Sequence, residues 1–205
     1  ASDVYKRQAI MYDRKRIRKV CEHIVNHYKT KIEPNGYKAQ VVVYDRECCL
    51  MYKEELDKLL PEEASTIVMH TNNDKEDRYK KYRRNRDQEA KVLDQFRDKD
   101  NPLKFVIVTA KLLTGFDAPI LQVIYLDKPM KDHNLLQAIC RVNRTYDEGK
   151  TNGLIVDYIG IFDNVAKALN FDEAGMKKVI TNIEEVKKQV PALMRKCLSY
   201  FMGVD

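Results

Sequence analysis

The sequence lacks the patterns that would give it an independent ATPase or nuclease centre. No G-x-x-x-x-G-K-[ST] phosphate loop occurs among its 205 residues, and no Asp-Glu pair with Walker B character ends a predicted strand. ATP hydrolysis requires a phosphate cradle and a metal-binding carboxylate, so we expect the chain not to hydrolyse ATP by itself. We also find no complete cluster of nuclease carboxylates.

Cysteine pairs and long apolar runs are absent as well. The five cysteines are odd in number and form no C-x-x-C pair. This argues against a disulfide framework, so we expect a reducing, cytoplasmic location. No apolar run approaches the roughly 20 residues of a membrane span, and we expect no membrane partner. His23 and His27 are one helical turn apart but lack the glutamate of H-E-x-x-H, so we predict a helix face and no metal site.

Charge is mixed with a mild basic excess. The formal net charge of +6 permits a polyanionic partner without requiring one. The stretch RYKKYRRNR, residues 78–86, holds six basic and no acidic residues with two interleaved tyrosines. It could follow nucleic-acid phosphates or form a solvated helix face, and the sequence leaves both interpretations open.

Short apolar runs alternate with helical patterns along the chain. The predicted strands are 38–44, 66–69, 105–109, 121–126 and 154–157, and the predicted helices are 9–30, 46–60, 75–98, 133–144, 161–170, 174–189 and 192–201. This alternation predicts an α/β fold with a mostly parallel sheet and helices on both faces. The helical segments after residue 171 predict the start of a separate helical region.

Two spaced patterns between residues 105 and 144 are the candidates for chemistry. Thr109 is followed six residues later by Gly115 and then by Asp117, in the loop after an apolar strand where α/β sheets bind ligands. Gln137, Arg141 and Arg144 fall within a narrow arc of one helix, opposite an apolar side (Leu135, Leu136, Ile139, Val142). Guanidinium groups match phosphate oxygens and suit a role as arginine fingers.

Together, the two patterns resemble motifs V and VI of superfamily-two helicases and translocases. Over residues 38–170 the sequence is similar to the motor (R) subunit of type I restriction enzymes. Three segments carry this similarity: LLTGFDAP, YLDKPMKDHNLLQAICRVNR and GLIVDYIGIF. Ala110 and Cys140 depart from the common superfamily pattern, whereas Thr114 fits the restriction subgroup. The resemblance implies a second RecA-like helicase domain at 37–171, a connecting helix at 9–36 and a C-terminal helical region at 172–205.

The resemblance also implies roles for individual residues. Arg141 and Arg144 would contact ATP phosphates, with Arg144 the principal finger, and Gln137 would orient the nucleotide or the attacking water. Gly115 and Asp117 would line the nucleotide cleft. Thr109 would bond a DNA phosphate, and Arg46 would lie near DNA in the weakly matched motif IV. ATP and Mg²⁺ would be bound mainly by a first RecA-like domain, and the partners would be double-stranded DNA and the modification and specificity subunits.

Residues 1–8 (ASDVYKRQ) suggest an artefact of sequencing. One codon choice back-translates them to GCGTCAGATGTGTATAAGAGACAG, a transposase end used as a library adapter. We therefore expect adapter read-through, with native sequence starting near Ala9 in a gene truncated at its 5′ side. Amplifying the locus from source DNA tests this, since finding these codons there would remove the idea.

Three alternative functions stay open. The chain could belong to another superfamily-two motor, such as an RNA helicase or a repair translocase. It could also be a non-catalytic nucleic-acid-binding module whose arginines have lost their use. A flavodoxin-type nucleotide-binding domain is less favoured, because it would need a phosphate loop after the first strand, and YDRECC has no glycine there.

Overall fold

The computed structural model describes residues 9–70, 77–112, 116–130 and 132–160, which build a five-stranded sheet. The strands are β1 (Lys38–Val43), β2 (Ser65–Ile67), β3 (Phe105–Val108), β4 (Leu121–Asp127) and β5 (Leu154–Asp157). Every pairing is parallel, and the order is β2-β3-β1-β4-β5. The predicted α/β fold with a parallel sheet is therefore confirmed.

Five main α-helices accompany the sheet in the part of the chain that the structure describes. They are α1 (Arg14–His27), α2 (Arg46–Asp57), α3 (Asp77–Lys80), α4 (Arg86–Arg97) and α5 (Asp132–Val142). The side chains of Asp13, Asp45 and Asn85 accept backbone N–H groups at the starts of α1, α2 and α4, which satisfies donors that a helix start leaves unpaired. The helices predicted beyond residue 160 and the suspected adapter segment lie outside the described residues.

One predicted helix is wrong in its extent. The segment 75–98 was expected to be continuous, but among its described residues α3 ends at Lys80 and α4 begins only at Arg86. Arg84 lies in the break and donates to the Ile67 carbonyl at 2.6 Å and to the Thr66 hydroxyl at 2.8 Å. Asn85 then starts α4 with a capping box that includes Gln88. Tertiary bonds to β2 and a strong local cap therefore outweigh the helical pattern.

Helices cover both faces of the sheet. On one face, the Tyr28 ring just after α1 lies 4.4 Å from the Phe105 ring on β3. On the other face, the Lys38 ammonium of β1 lies 5.8 Å from the Phe96 ring of α4. β1 is buried along its whole length, as expected for a strand between two helical layers. This explains why the strands read as continuous apolar runs.

A buried polar network fastens α1 to the sheet. Arg16 of α1 donates from Nη1 to Asp127 Oδ2 at the end of β4, over 2.8 Å, and its Nη2 pairs with the other carboxylate oxygen. The hydroxyl of Tyr52 in α2 donates to the same carboxylate. The Asp127 hydrogen bond raises the pKa of Arg16. Val20 and Ile24 of α1 are also buried, as is Tyr28 just after it.

The last turn of α5 lies against the start of β5. A Cβ atom on Gly153 would be 2.3 Å from the Val142 carbonyl carbon, so only glycine permits this approach. Asn143 accepts the Gly153 N–H at 3.2 Å. Of the apolar side predicted for α5, Leu135 and Val142 are buried and Ile139 is half-buried. The end of α5 is thereby fixed at the amino edge of the sheet.

Candidate functional site

A pocket of about 370 Å³ lies at the carboxyl ends of the three central strands, and we call it the carboxyl-edge pocket. It is lined by Tyr44, Asp45, Arg46, Glu47, Tyr79, Thr109 and Lys128. Asp45 follows β1, Thr109 follows β3 and Lys128 follows β4. Open α/β sheets bind ligands at this edge, where the strand order reverses. The structure brings Arg46 and Thr109, both predicted to contact DNA, into this one pocket.

Arg46 is oriented by an aromatic ring. Its guanidinium carbon lies 4.8 Å from the centroid of Tyr79, and the guanidinium of Arg78 lies 4.9 Å from the same ring. An Arg46 N–H also donates to the His70 carbonyl at 3.4 Å. A guanidinium that stacks on an aromatic face is held in position while keeping its charge. Arg46 is therefore a preorganised cation at the start of α2.

Some side chains of the basic stretch 78–86 line or flank the pocket, and others bond to the rest of the fold. Arg78 and Tyr79 contribute to the stacked arrangement around Arg46, whereas Arg84 bonds to β2. Lys81 pairs with the exposed Glu62 at 2.7 Å. A solvated face does not describe the whole stretch, because Tyr79 and Tyr82 are buried, whereas its contact with phosphates stays a prediction. Tyr79, one of the two interleaved tyrosines, is the sequence feature that could have predicted the stacking on Arg46.

A second group of residues lies where α5 meets the loop before β4, and we call it the arginine cluster (Phe116, Asp117, Arg141, Arg144). Arg141 donates from Nη1 to the Phe116 carbonyl. Arg144 Nη1 lies 2.7 Å from Asp117 Oδ2. The structure therefore joins the two patterns found in the sequence, since the Gly-x-Asp loop and the arginine helix bond to each other directly.

The Arg144–Asp117 pair is open to solvent. The two side chains are 49% and 55% exposed, so their attraction is screened by water and the pair contributes about 0–1 kcal/mol to stability. An anionic ligand could replace Asp117 at little cost. Gln137 lies half-buried one turn earlier on α5, whereas Gly115 lies outside the described residues.

Arg97 also belongs to this region and was missed by sequence reasoning. It donates from Nε to the Asp117 carbonyl at 2.8 Å, and its guanidinium lies 4.9 Å from the Phe116 ring. Arg97 ends α4, a helix distant in sequence from both patterns, and no spacing signal in the chain identifies it. Its contacts fix the backbone of the residues that bond Arg141 and Arg144.

The two groups lie at opposite edges of the sheet. The pocket contains residues that follow strands, whereas Asp117 lies just before β4 and Arg141 lies near the start of β5. Leu112 lies between Thr109 and Asp117 in sequence, and its φ of 72° is left-handed. A non-glycine residue in that region costs about 1 kcal/mol or more and persists where its surroundings enforce it.

The described residues contain no group of three or more His, Cys, Asp or Glu arranged to hold a metal ion. His23 and His27, considered as a metal pair, instead contact the Tyr158 and Tyr125 hydroxyls at 2.6 and 2.8 Å. In the same part of the chain, no helix is both long and apolar enough to cross a bilayer.

Comparisons with known proteins agree with this architecture. Residues 5–160 match the family model of the type I restriction enzyme subunit R domain 3. The MjaIXP type I restriction enzyme endonuclease subunit of Methanocaldococcus jannaschii is 33% identical over 98% of this chain and 19% of its own length. The HindI endonuclease subunit of Haemophilus influenzae is 36% identical over 76% of this chain and 16% of its own.

A solved structure supports the fold. A fragment of an HsdR subunit of a type I restriction enzyme from Vibrio vulnificus YJ016 superposes with a TM-score of 0.58 at 17% identity, covering 77% of this chain and 29% of that one. The chain spans less than a fifth of the length of these two curated relatives. By the family match and the identity to these relatives, the chain belongs to the family of type I restriction enzyme R subunits, and its residues 5–160 correspond to their domain 3.

Proposed function

We propose that this chain is the second RecA-like domain of the ATP-dependent DNA translocase in a type I restriction endonuclease. The observation that supports this proposal most directly is that Arg141 and Arg144 bond to the Phe116–Asp117 loop. That loop is continuous in sequence with Thr109 in the carboxyl-edge pocket. One segment thus connects a candidate nucleotide contact with a candidate DNA contact, as coupling between them requires.

The arginine cluster is suited to contact ATP held by another domain. Arg144 is half-exposed and paired only with an exposed carboxylate among the contacts described, so its guanidinium can turn to phosphate oxygens. Arg141 is positioned by a backbone carbonyl, and Gln137 would orient the nucleotide or its water. Asp117, with Gly115, would line the cleft. We assign the phosphate cradle and most Mg²⁺ ligands to a first RecA-like domain, and we expect this chain alone to be inactive.

The carboxyl-edge pocket is suited to contact the DNA backbone. The Thr109 hydroxyl and the stacked Arg46 guanidinium offer hydrogen-bond donors that match phosphate oxygens. Closure of the two domains around ATP would shift the loop after Thr109 and change its grip on the strand. Repeated closure and opening would move double-stranded DNA past the domain. The modification and specificity subunits would supply methylation and site recognition to the nuclease.

The test is ATP hydrolysis by the full-length subunit that carries this sequence. We expect Arg144→Ala to reduce DNA-stimulated hydrolysis by about a thousandfold or more, the scale of an arginine finger. DNA affinity should change little. Arg14→Ala is the matched control, because Arg14 also forms an exposed ion pair, with Glu54 at 3.1 Å, but lies on α1. Unchanged hydrolysis with weakened DNA binding would make α5 a basic docking face and favour the non-catalytic module.

A further inference from the structure

The acidic residues of the carboxyl-edge pocket are engaged within the protein. Asp45 accepts the Cys48 N–H at 2.9 Å and the Tyr12 hydroxyl. Glu47 forms an ion pair with Arg78. Neither carboxylate forms an ion pair with Lys128 in the described structure. Both carboxylates are therefore engaged by other groups, and neither is in direct contact with the Lys128 ammonium among the described residues.

Lys128 is a half-buried cation whose bonding partner is neutral. Its ammonium donates to the Thr109 carbonyl at 3.3 Å. Burial lowers its pKa, because the charged form is partly removed from water, and the attraction of the nearby Asp45 carboxylate offsets this only in part. An ammonium group has three donors, and among the described residues no carboxylate lies within ion-pair distance of it. Partly desolvated cations are stabilised when an anion supplies the missing charge.

We propose that Lys128 binds a backbone phosphate of duplex DNA, together with the Thr109 hydroxyl. This assignment rests on the function proposed above and adds a residue that belongs to neither spaced sequence pattern. Thr109 follows β3 and Lys128 follows β4, the two strands on either side of β1, and their direct hydrogen bond places both at the pocket wall. A phosphate there would receive an ammonium and a hydroxyl from two different strands.

The number of phosphate contacts can be read from the salt dependence of binding. Fluorescence anisotropy of a labelled duplex with the full-length subunit, from roughly 50 to 200 mM salt, gives the slope of log affinity against log salt. We expect Lys128→Gln to reduce the magnitude of that slope by about 0.9, and affinity near 0.1 M salt by about five- to tenfold. Lys128→Arg should restore both values, because the charge is kept.

Lys99→Gln is the matched control, since Lys99 is an exposed lysine at the opposite edge of the sheet. It follows Asp98, whose carbonyl accepts from Lys38 at the start of β1. An unchanged slope for Lys128→Gln, or an equal loss in Lys99→Gln, would overturn the assignment. A raised KM for ATP with unchanged DNA affinity would overturn it by placing the phosphate on the nucleotide. Absence of DNA binding by the wild type would overturn the proposed function as well.

Discussion

Replacement of Arg16 by methionine tests the buried network that fastens α1 to the sheet. The Asp127 side chain is only 3% exposed and accepts from both terminal nitrogens of Arg16 and from Tyr52. Methionine would keep much of the packing volume of Arg16 but remove its charge. Leaving a buried carboxylate without its cation costs about 3–5 kcal/mol, so we expect a loss near the lower value, because Tyr52 still donates.

The assay is urea denaturation of the 205-residue chain, followed by circular dichroism and supported by thermal unfolding. A loss of about 3 kcal/mol corresponds to a decrease in Tm of roughly 6–12 °C for a domain of this size. Combining Arg16→Met with Asp127→Asn should recover about 1–2 kcal/mol, because the buried charge is then removed while an acceptor for Tyr52 is kept. The recovery separates the ion pair from general damage to the helix.

Arg14→Met is the control for this experiment. Arg14 lies two residues earlier on the same helix and pairs with Glu54, with the two side chains 62% and 51% exposed. Such a pair is worth about 0.2–1 kcal/mol. If Arg16→Met and Arg14→Met destabilised the chain equally, or if Arg16→Met cost under about 1 kcal/mol, the network would not hold α1 in place.

Two other substitutions test how α4 and α5 are positioned. Lys38 donates to the Gln95 carbonyl of α4, and Gly153 lies against Val142 of α5. Burial lowers the pKa of Lys38 to about 8. The folded state therefore holds this proton more weakly than the unfolded state, so the free energy of unfolding of the wild type should rise between pH 8 and 10.5. The rise should be smaller in Lys38→Met, which lacks the titrating group. Urea titrations across that pH range measure both. A Cβ at Gly153 would clash with the Val142 backbone, so Gly153→Ala should cost about 1–3 kcal/mol in the same assay; an unchanged midpoint would contradict this.

Much of the fold could be predicted from the sequence, because burial on both faces imposes a visible pattern. The run VVV that ends β1 and the run FVIV of β3 are apolar at every position. Such an uninterrupted apolar run is typical of a parallel strand that is covered on both faces. The break in the predicted helix 75–98 could not be predicted in this way. It depends on bonds from Arg84 to β2, a partner about 17 residues away in sequence.

The candidate site was predictable where spacing along one element carries the information. Gln137, Arg141 and Arg144 share one helix, so their common orientation follows from helical geometry alone. Arg97 and Lys128 carry no such spacing. They enter the site because α4 and β4 end beside the Phe116–Asp117 loop and Thr109, respectively.

The sequence alone determined the strand and helix pattern, the family resemblance and the two spaced motifs, since each depends on residues near one another along the chain. Only the tertiary structure decided that Arg46 and Thr109 share a pocket at the carboxyl edge, while Arg141 and Arg144 bond the loop near the other edge. The physical reason is the crossover order of the sheet, which places β3 and β4 on either side of β1 and brings the ends of distant segments together.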